Sequence, residues 1–173
     1  MPLRRSPNGA GHTRPQPGRE RPEQVVAINR NAWSQSIGTG GRNQPVRALS
    51  AYLQDYAYRQ LTIVVTPRVM QLRRLVIGEV GRFPELARIL YERGPMRALA
   101  ALTTTFKSLT ERGLLAIDDP RVAASQFNWL IMSAPLNQAM LLGDAAIPKR
   151  AELRRHAADG VRLFLAAYGT RRA

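Results

Sequence analysis

Cysteine is absent, lysine occurs only at positions 107 and 149, and the two histidines are His12 and His156. No stretch approaches the roughly 18 consecutive apolar residues of a membrane-spanning helix. The missing cysteines remove disulfides, thiolate metal sites and cysteine nucleophiles together, and agree with a reducing compartment such as the cytoplasm. No apolar block follows the basic N-terminus, so nothing reads as a secretory signal, and a soluble protein without membrane contact is expected. The scarcity of acids is equally telling. Twelve Asp and Glu face 26 Lys and Arg, a net charge of +14 over 173 residues. That surplus favours phosphate backbones and anionic surfaces without choosing among them. It is spread along the chain: residues 1–43 hold seven Arg against Glu20 and Glu23, and the remainder holds nineteen basic residues against ten acids. Codon bias in a GC-rich genome accounts for the arginine as readily as a phosphate-binding surface does.

What is present divides at about residue 43. The first 22 residues carry Pro2, Pro7, Pro15, Pro17 and Pro22 with Gly9, Gly11 and Gly18 and almost no apolar side chains, so a disordered tail is expected. Val25, Val26 and Ile28 could start a short helix, but Gly38-Thr39-Gly40-Gly41 makes the stretch after Trp33 a linker. From 44 to 170, apolar residues recur at helical spacing with a stop signal after each run, and a chain of this length can bury a real core.

The first helix is expected from Pro45 to Val65, with Val46, Leu49, Leu53, Tyr56, Gln60 and Val64 on one stripe. The second runs from Pro67 to Gly81 with Val69, Leu72, Val76 and Val80 aligned, and the third starts at Phe83-Pro84 and stops at Gly94. Pro95 then opens a fourth helix that ends at Arg112-Gly113. Asp118-Asp119-Pro120 is the clearest helix start, an Asp cap before a first-turn proline, and begins a long helix toward Gly143. Pro135 should kink or divide that helix. The last helix is expected from Pro148 to Tyr168, with Leu153, Ala157, Val161, Phe164 and Tyr168 inward. No alternating strand pattern competes. The expected fold is all-α, an antiparallel bundle of five or six helices.

Catalytic chemistry finds little support. His12 lies in the proline-rich tail, and His156 sits among Arg154, Arg155 and Ala157 on a helix, without a nucleophile or carboxylate orienter, so it reads as a surface residue. Glu79, Glu85 and Glu92 alternate with Arg82, Arg88 and Arg93, the pattern of surface ion pairs. The Gly38–Gly41 run lacks the Gly-Lys-Ser/Thr ending of a phosphate loop. Neither enzyme activity nor a metal or other cofactor is expected.

The segment Arg74-Leu75-Val76-Ile77-Gly78-Glu79-Val80-Gly81-Arg82-Phe83-Pro84-Glu85-Leu86-Ala87, followed by Tyr91-Glu92-Arg93-Gly94-Pro95, resembles the C-terminal domain of TetR/AcrR transcriptional regulators, most of all the AefR-like group. The same order continues through Gly113-Leu114-Leu115, Asp118-Asp119-Pro120 and Ala123-Ala124-Ser125-Gln126-Phe127. Each motif alone is what capping chemistry would generate. Their order and spacing, over roughly 45–170, carry the likeness.

The resemblance implies two functions. The last two long helices would pair with those of a second subunit, and the sequence adds a physical reason, because the 120–142 helix has two apolar stripes. Phe127, Leu130, Ile131 and Ala134 form one, while Trp129, Met132, Leu136 and Met140 form the other and would face the partner. Leu153, Val161 and Phe164 complete the interface set implied for a homodimer. Ligand-responsive members also bind a small apolar or amphipathic effector between their helices. The corresponding wall residues are Tyr52, Tyr56, Met70, Arg73, Phe106 and Trp129, which also suit the ordinary packing of a core.

Residues 1–43 stand where the family carries its helix-turn-helix, and nothing in them matches a recognition helix. The expectation is a regulator whose DNA-reading half is missing or truncated, with DNA bound only through a helix-turn-helix supplied elsewhere. The alternatives are a basic protein binding nucleic acid non-specifically through Arg4, Arg5, Arg14, Arg19 and Arg21, or a stand-alone dimerisation partner of full-length regulators.

Overall fold

The structure is a computed structural model that describes residues 44–170. The expectations for residues 1–43 fall outside them. Six α-helices make up the described part: α1 Gln44–Val64, α2 Pro67–Gly78, α3 Pro84–Tyr91, α4 Arg97–Glu111, α5 Pro120–Leu142 and α6 Arg150–Tyr168. The all-α bundle is as the sequence predicts. α1 packs along α6, α4 along α5, and α5 also meets α6 and α1, so α5 runs through the middle. α2 leans on α5 and α1 from the side.

The boundaries follow from local chemistry. Pro67, Pro84 and Pro120 each occupy a first turn, where a missing N–H leaves no gap in the helix. The Asp119 carboxylate accepts from the backbone N–H of Arg121 at 2.8 Å and of Val122 at 3.1 Å, the expected cap. Gly113 and Gly143 stop α4 and α5 at φ +67° and +86°, a region costly for other residues. α6 starts two residues later than expected, where the Glu152 carboxylate accepts from the Lys149 N–H at 2.7 Å.

Two prolines behave differently from expectation. Pro95 does not open a new helix. A turn of π-helix, Glu92–Met96, carries α3 straight into α4, and its widened backbone takes in the proline that an α-helical turn would reject. Pro135 does not divide α5, which stays helical from 120 to 142 with the proline buried inside it. The stripe on α2 is also rotated: Met70 and Val76 are buried and Val69 and Arg73 half-buried, while Leu72 and Val80 are exposed.

The core joins α1, α4, α5 and α6 around Leu53, Leu61, Leu102, Phe106, Phe127, Ile131, Val161 and Phe164, all essentially inaccessible. Burial of each such side chain contributes about 1.5–3 kcal/mol. The ends of the bundle are tied as well. Ala116 donates its N–H to the Tyr168 carbonyl at 2.8 Å, holding the α4–α5 loop to the end of α6. The Tyr168 hydroxyl donates to Oε1 of Gln126.

Candidate functional site

The centre of the bundle is aromatic. Phe106 of α4 stacks on Phe164 of α6 with centroids 5.0 Å apart, and Phe127 of α5 meets both edge-on at 5.6 and 5.0 Å. Tyr56 of α1 joins at 6.3 Å from Phe127. The expected wall residues Tyr56 and Phe106 are therefore brought together through Phe127. Tyr52 lies half-buried one turn before Tyr56, and burial raises the pKa of both phenols; at Tyr56 the neighbouring Tyr52 adds to the rise. Met70 is fully buried on α2, outside the main cluster. Trp129 does not line this interior. It is 59% exposed, because two residues past Phe127 is about 200° round the helix.

Some buried polar atoms of the bundle lack partners. Oε1 of Gln60, Oγ1 of Thr110 and Nε of Arg73 are shut off from solvent with no hydrogen-bond partner among the described residues. The other amide end of Gln60 donates to Oδ1 of Asn128 at 3.3 Å, which fixes its direction. Thr103, Thr104 and Thr105 return their hydroxyls to carbonyls four residues back, and Thr110 does not. Oε2 of Glu79 is a fourth such atom, and since buried polar atoms are nearly always paired, these four are the places in the described part that call for a water or ligand partner.

The outer face of α5 is apolar too. Val122 and Trp129 are exposed there and Leu136 and Met140 half-buried, while exposed Leu163 lies on α6. Met132, Leu153, Val161 and Phe164, expected at a subunit interface, are 4%, 3%, 0% and 1% exposed within this chain alone. They already pack inside one subunit and have no surface left to offer a second. The sequence stripes predicted too broad a face because adjacent stripes on one helix differ only by a 100° step.

Several features escaped the sequence reading. His156 is half-buried, and its Nε2 meets the Ile131 carbonyl at 2.9 Å. That carbonyl is four residues before Pro135, which has no N–H to give it. A carbonyl can only accept, so Nε2 carries the proton. One turn on, Gly160 leaves room for Ile131, whose Cδ1 lies 2.6 Å from where a Cβ would stand. Arg74 of α2 donates to the Ala139 carbonyl at 2.9 Å and pairs with Asp144, which also accepts from Gln71 at 2.7 Å. These hydrogen bonds, Arg74 first, hold the Asp144 carboxyl below its ordinary pKa. Of the expected Glu–Arg surface pairs, Glu79–Arg82 is present at 3.7 Å. Among the described residues no cluster of acids and histidines could hold a metal ion, and no helix is long and apolar enough to cross a membrane. Finally, the α2–α3 corner exposes Leu75, Ile77, Phe83, Leu86 and Ile89.

The family model described as the C-terminal domain of AefR-like transcriptional repressors matches residues 51–170. The chain belongs to the TetR family. A TetR-family transcriptional regulator of Mesorhizobium loti has a similar fold, with a TM-score of 0.70 and 34% identity over 86% of this chain and 69% of that one. The flavonoid-responsive regulator FrrA aligns with a TM-score of 0.62 and 27% identity, over 87% of this chain and 74% of its own. A TetR regulator of Agrobacterium tumefaciens gives the same TM-score and identity, over 81% and 68%. No curated protein matches the chain. The TetR-family match covers the helices that carry the aromatic cluster and the outer face of α5, and the relatives are transcriptional regulators.

Proposed function

We propose that residues 44–170 act as the effector-binding and dimerisation domain of a TetR-type transcriptional regulator, not as an enzyme. The observation that carries the reading is the double use of α5. Its inner face holds Phe127 in the aromatic cluster, next in sequence to Asn128, which accepts from Gln60, and its outer face leaves a tryptophan 59% exposed. A large aromatic in line with Val122, Leu136 and Met140 on a water-facing surface is the composition of a subunit contact. A two-fold axis beside α5 and α6 would bury it against its own copy.

The effector in this reading is a small apolar or amphipathic compound, because an apolar wall with a few polar tips is the chemistry that holds one. A flavonoid-responsive relative with the same fold supports an aromatic compound of that size. The helix-turn-helix expected to be missing, and the basic tail offered as a nucleic-acid contact, concern residues outside the described part. Operator reading is assigned to no described residue.

Light scattering tests the dimer. The 173-residue chain should run at twice its 19.3 kDa mass at micromolar concentration, and Trp129→Asp should run as a folded monomer. A clean monomer for the unaltered protein removes the dimerisation half of the proposal.

A further inference from the structure

We propose that Arg73 is the anchor for a singly charged anionic effector, a carboxylate or phenolate on an apolar body, held at the inward face of α2. This deepens the effector reading above and rests on it.

Arg73 and Arg74 are neighbours in sequence with opposite fates. Arg74 turns to the end of α5 and is fully engaged by Asp144 and the Ala139 carbonyl. Arg73, about 100° round the helix, lies on the face that carries Val69, Met70 and Val76. Its Nε is shut off from solvent and has no partner, and no ion pair or aromatic ring among the described residues engages its guanidinium. Asp144, the acid that faces this helix, is committed to Arg74 and Gln71, and Glu79 has only a loose 3.7 Å contact with Arg82. Burial lowers the Arg73 pKa, the signature of a cation that has lost water without gaining a counter-charge.

Such an arrangement costs folding energy, because a partly desolvated charge is unfavourable until it is paired. An anion would supply the pair and find a planar fork of donors, to which carboxylates bind in two parallel hydrogen bonds. One cation among valines and a methionine selects one negative charge on an apolar body. A polyphosphate would bring several charges to a site that can neutralise one.

The test compares two fluorescent probes on the full-length chain at moderate salt. The first is 8-anilinonaphthalene-1-sulfonate, which carries one negative charge; the second is N-phenyl-1-naphthylamine, the same ring system without it. Arg73→Met should weaken the sulfonate by about tenfold or more and change the neutral probe by less than about twofold. Arg73→Lys keeps the charge and should retain part of the difference. Arg88→Met, on the exposed side of α3, should leave both probes unchanged. Arg73→Met should also melt no lower than the unaltered protein, since an uncompensated charge has gone. Equal weakening of both probes, or no change in sulfonate binding, overturns the anion anchor while leaving the effector site standing. Failure of both probes to bind the unaltered protein overturns the effector reading and the anchor with it.

Discussion

Replacing His156 by leucine tests whether α6 repairs the break that Pro135 makes in α5. In an unbroken helix the N–H of residue 135 would bond to the Ile131 carbonyl; proline has none, and His156 supplies the missing donor across the helix pair at 2.9 Å. Leucine is close to histidine in size, so His156→Leu removes the donor with little change in packing. A net hydrogen bond of this kind contributes about 0.5–1.5 kcal/mol, and a buried carbonyl left unpaired costs about 1–3 kcal/mol. Since Ile131 is fully buried, the upper part of that range applies, and His156→Leu should lower the unfolding free energy by about 2 kcal/mol. The decisive comparison is made in the Pro135→Ala background. There the alanine N–H reaches the Ile131 carbonyl along the helix, so the histidine has nothing left to repair. The same His156→Leu change should then cost under about 1 kcal/mol, giving a coupling energy of at least about 1 kcal/mol between positions 135 and 156. Urea unfolding followed by far-UV circular dichroism provides the four free energies. Protein concentration must be fixed across the cycle, because an associating chain has concentration-dependent stability, and the m-values must agree. Additivity within about 0.5 kcal/mol would refute the repair and reduce His156 to a packing residue.

Gly160→Ala places a methyl 2.6 Å from Cδ1 of Ile131, and overpacking of this kind costs about 1–3 kcal/mol against less than about 1 kcal/mol gained in helix propensity. Thermal melts should show a net loss that Ile131→Val, which removes the Cδ1, largely recovers. Asp144 has its pKa depressed, so its contribution is complete above the ordinary carboxylate value of about 3.9 and is lost as pH falls through the lower folded value. Melting temperatures of the unaltered protein and Asp144→Asn should therefore converge in acid, and a gap that stays constant would exclude the Arg74 contact as its source. Tyr56 has its pKa raised by burial, so its contribution is intact below the ordinary phenol value of about 10 and is lost as pH rises toward the folded one. Absorbance titration at alkaline pH should show Tyr52 and Tyr56 ionising late, Tyr56 last and together with unfolding, and Tyr56→Phe should abolish that last step.

The fold was legible because helix ends in this chain are marked by residues with one local meaning. Pro67, Pro84 and Pro120 fit only a first turn, Asp119 has the carboxylate for a cap, and Gly113 and Gly143 take positive φ where α4 and α5 stop. Pro95 defeats the same logic, and Pro135 does not divide its helix. A proline inside a run can be absorbed if a neighbouring turn widens or if another helix supplies the missing donor, and both remedies depend on geometry beyond the local sequence. The histidine that does this at Ile131 is 25 residues away. The signal existed as a proline with an orphaned carbonyl four residues earlier, but nothing in the string Arg154-Arg155-His156 says which residue turns inward.

The candidate site shows the same division between composition and placement. Tyr56 and Phe106 could be selected because an aromatic on an apolar helical stripe faces inward wherever the stripe does. Trp129 could not be assigned, since α5 is apolar on two sides and only its neighbours decide which side is inside. Arg73 and Arg74 make the point most sharply, being identical residues side by side. Asp144, 70 residues on, pairs with Arg74, while burial of Met70 and Val76 sets how α2 is rotated against the bundle. Once that rotation is set, Arg73 must point with Val69, Met70 and Val76, and its charge is left among apolar groups. Asp144→Asn frees Arg74 but leaves Met70 and Val76 buried, so Arg73 should stay in place and the preference for the sulfonate probe over the neutral one should persist; its loss would show that the Asp144 pair, not apolar burial, orients α2.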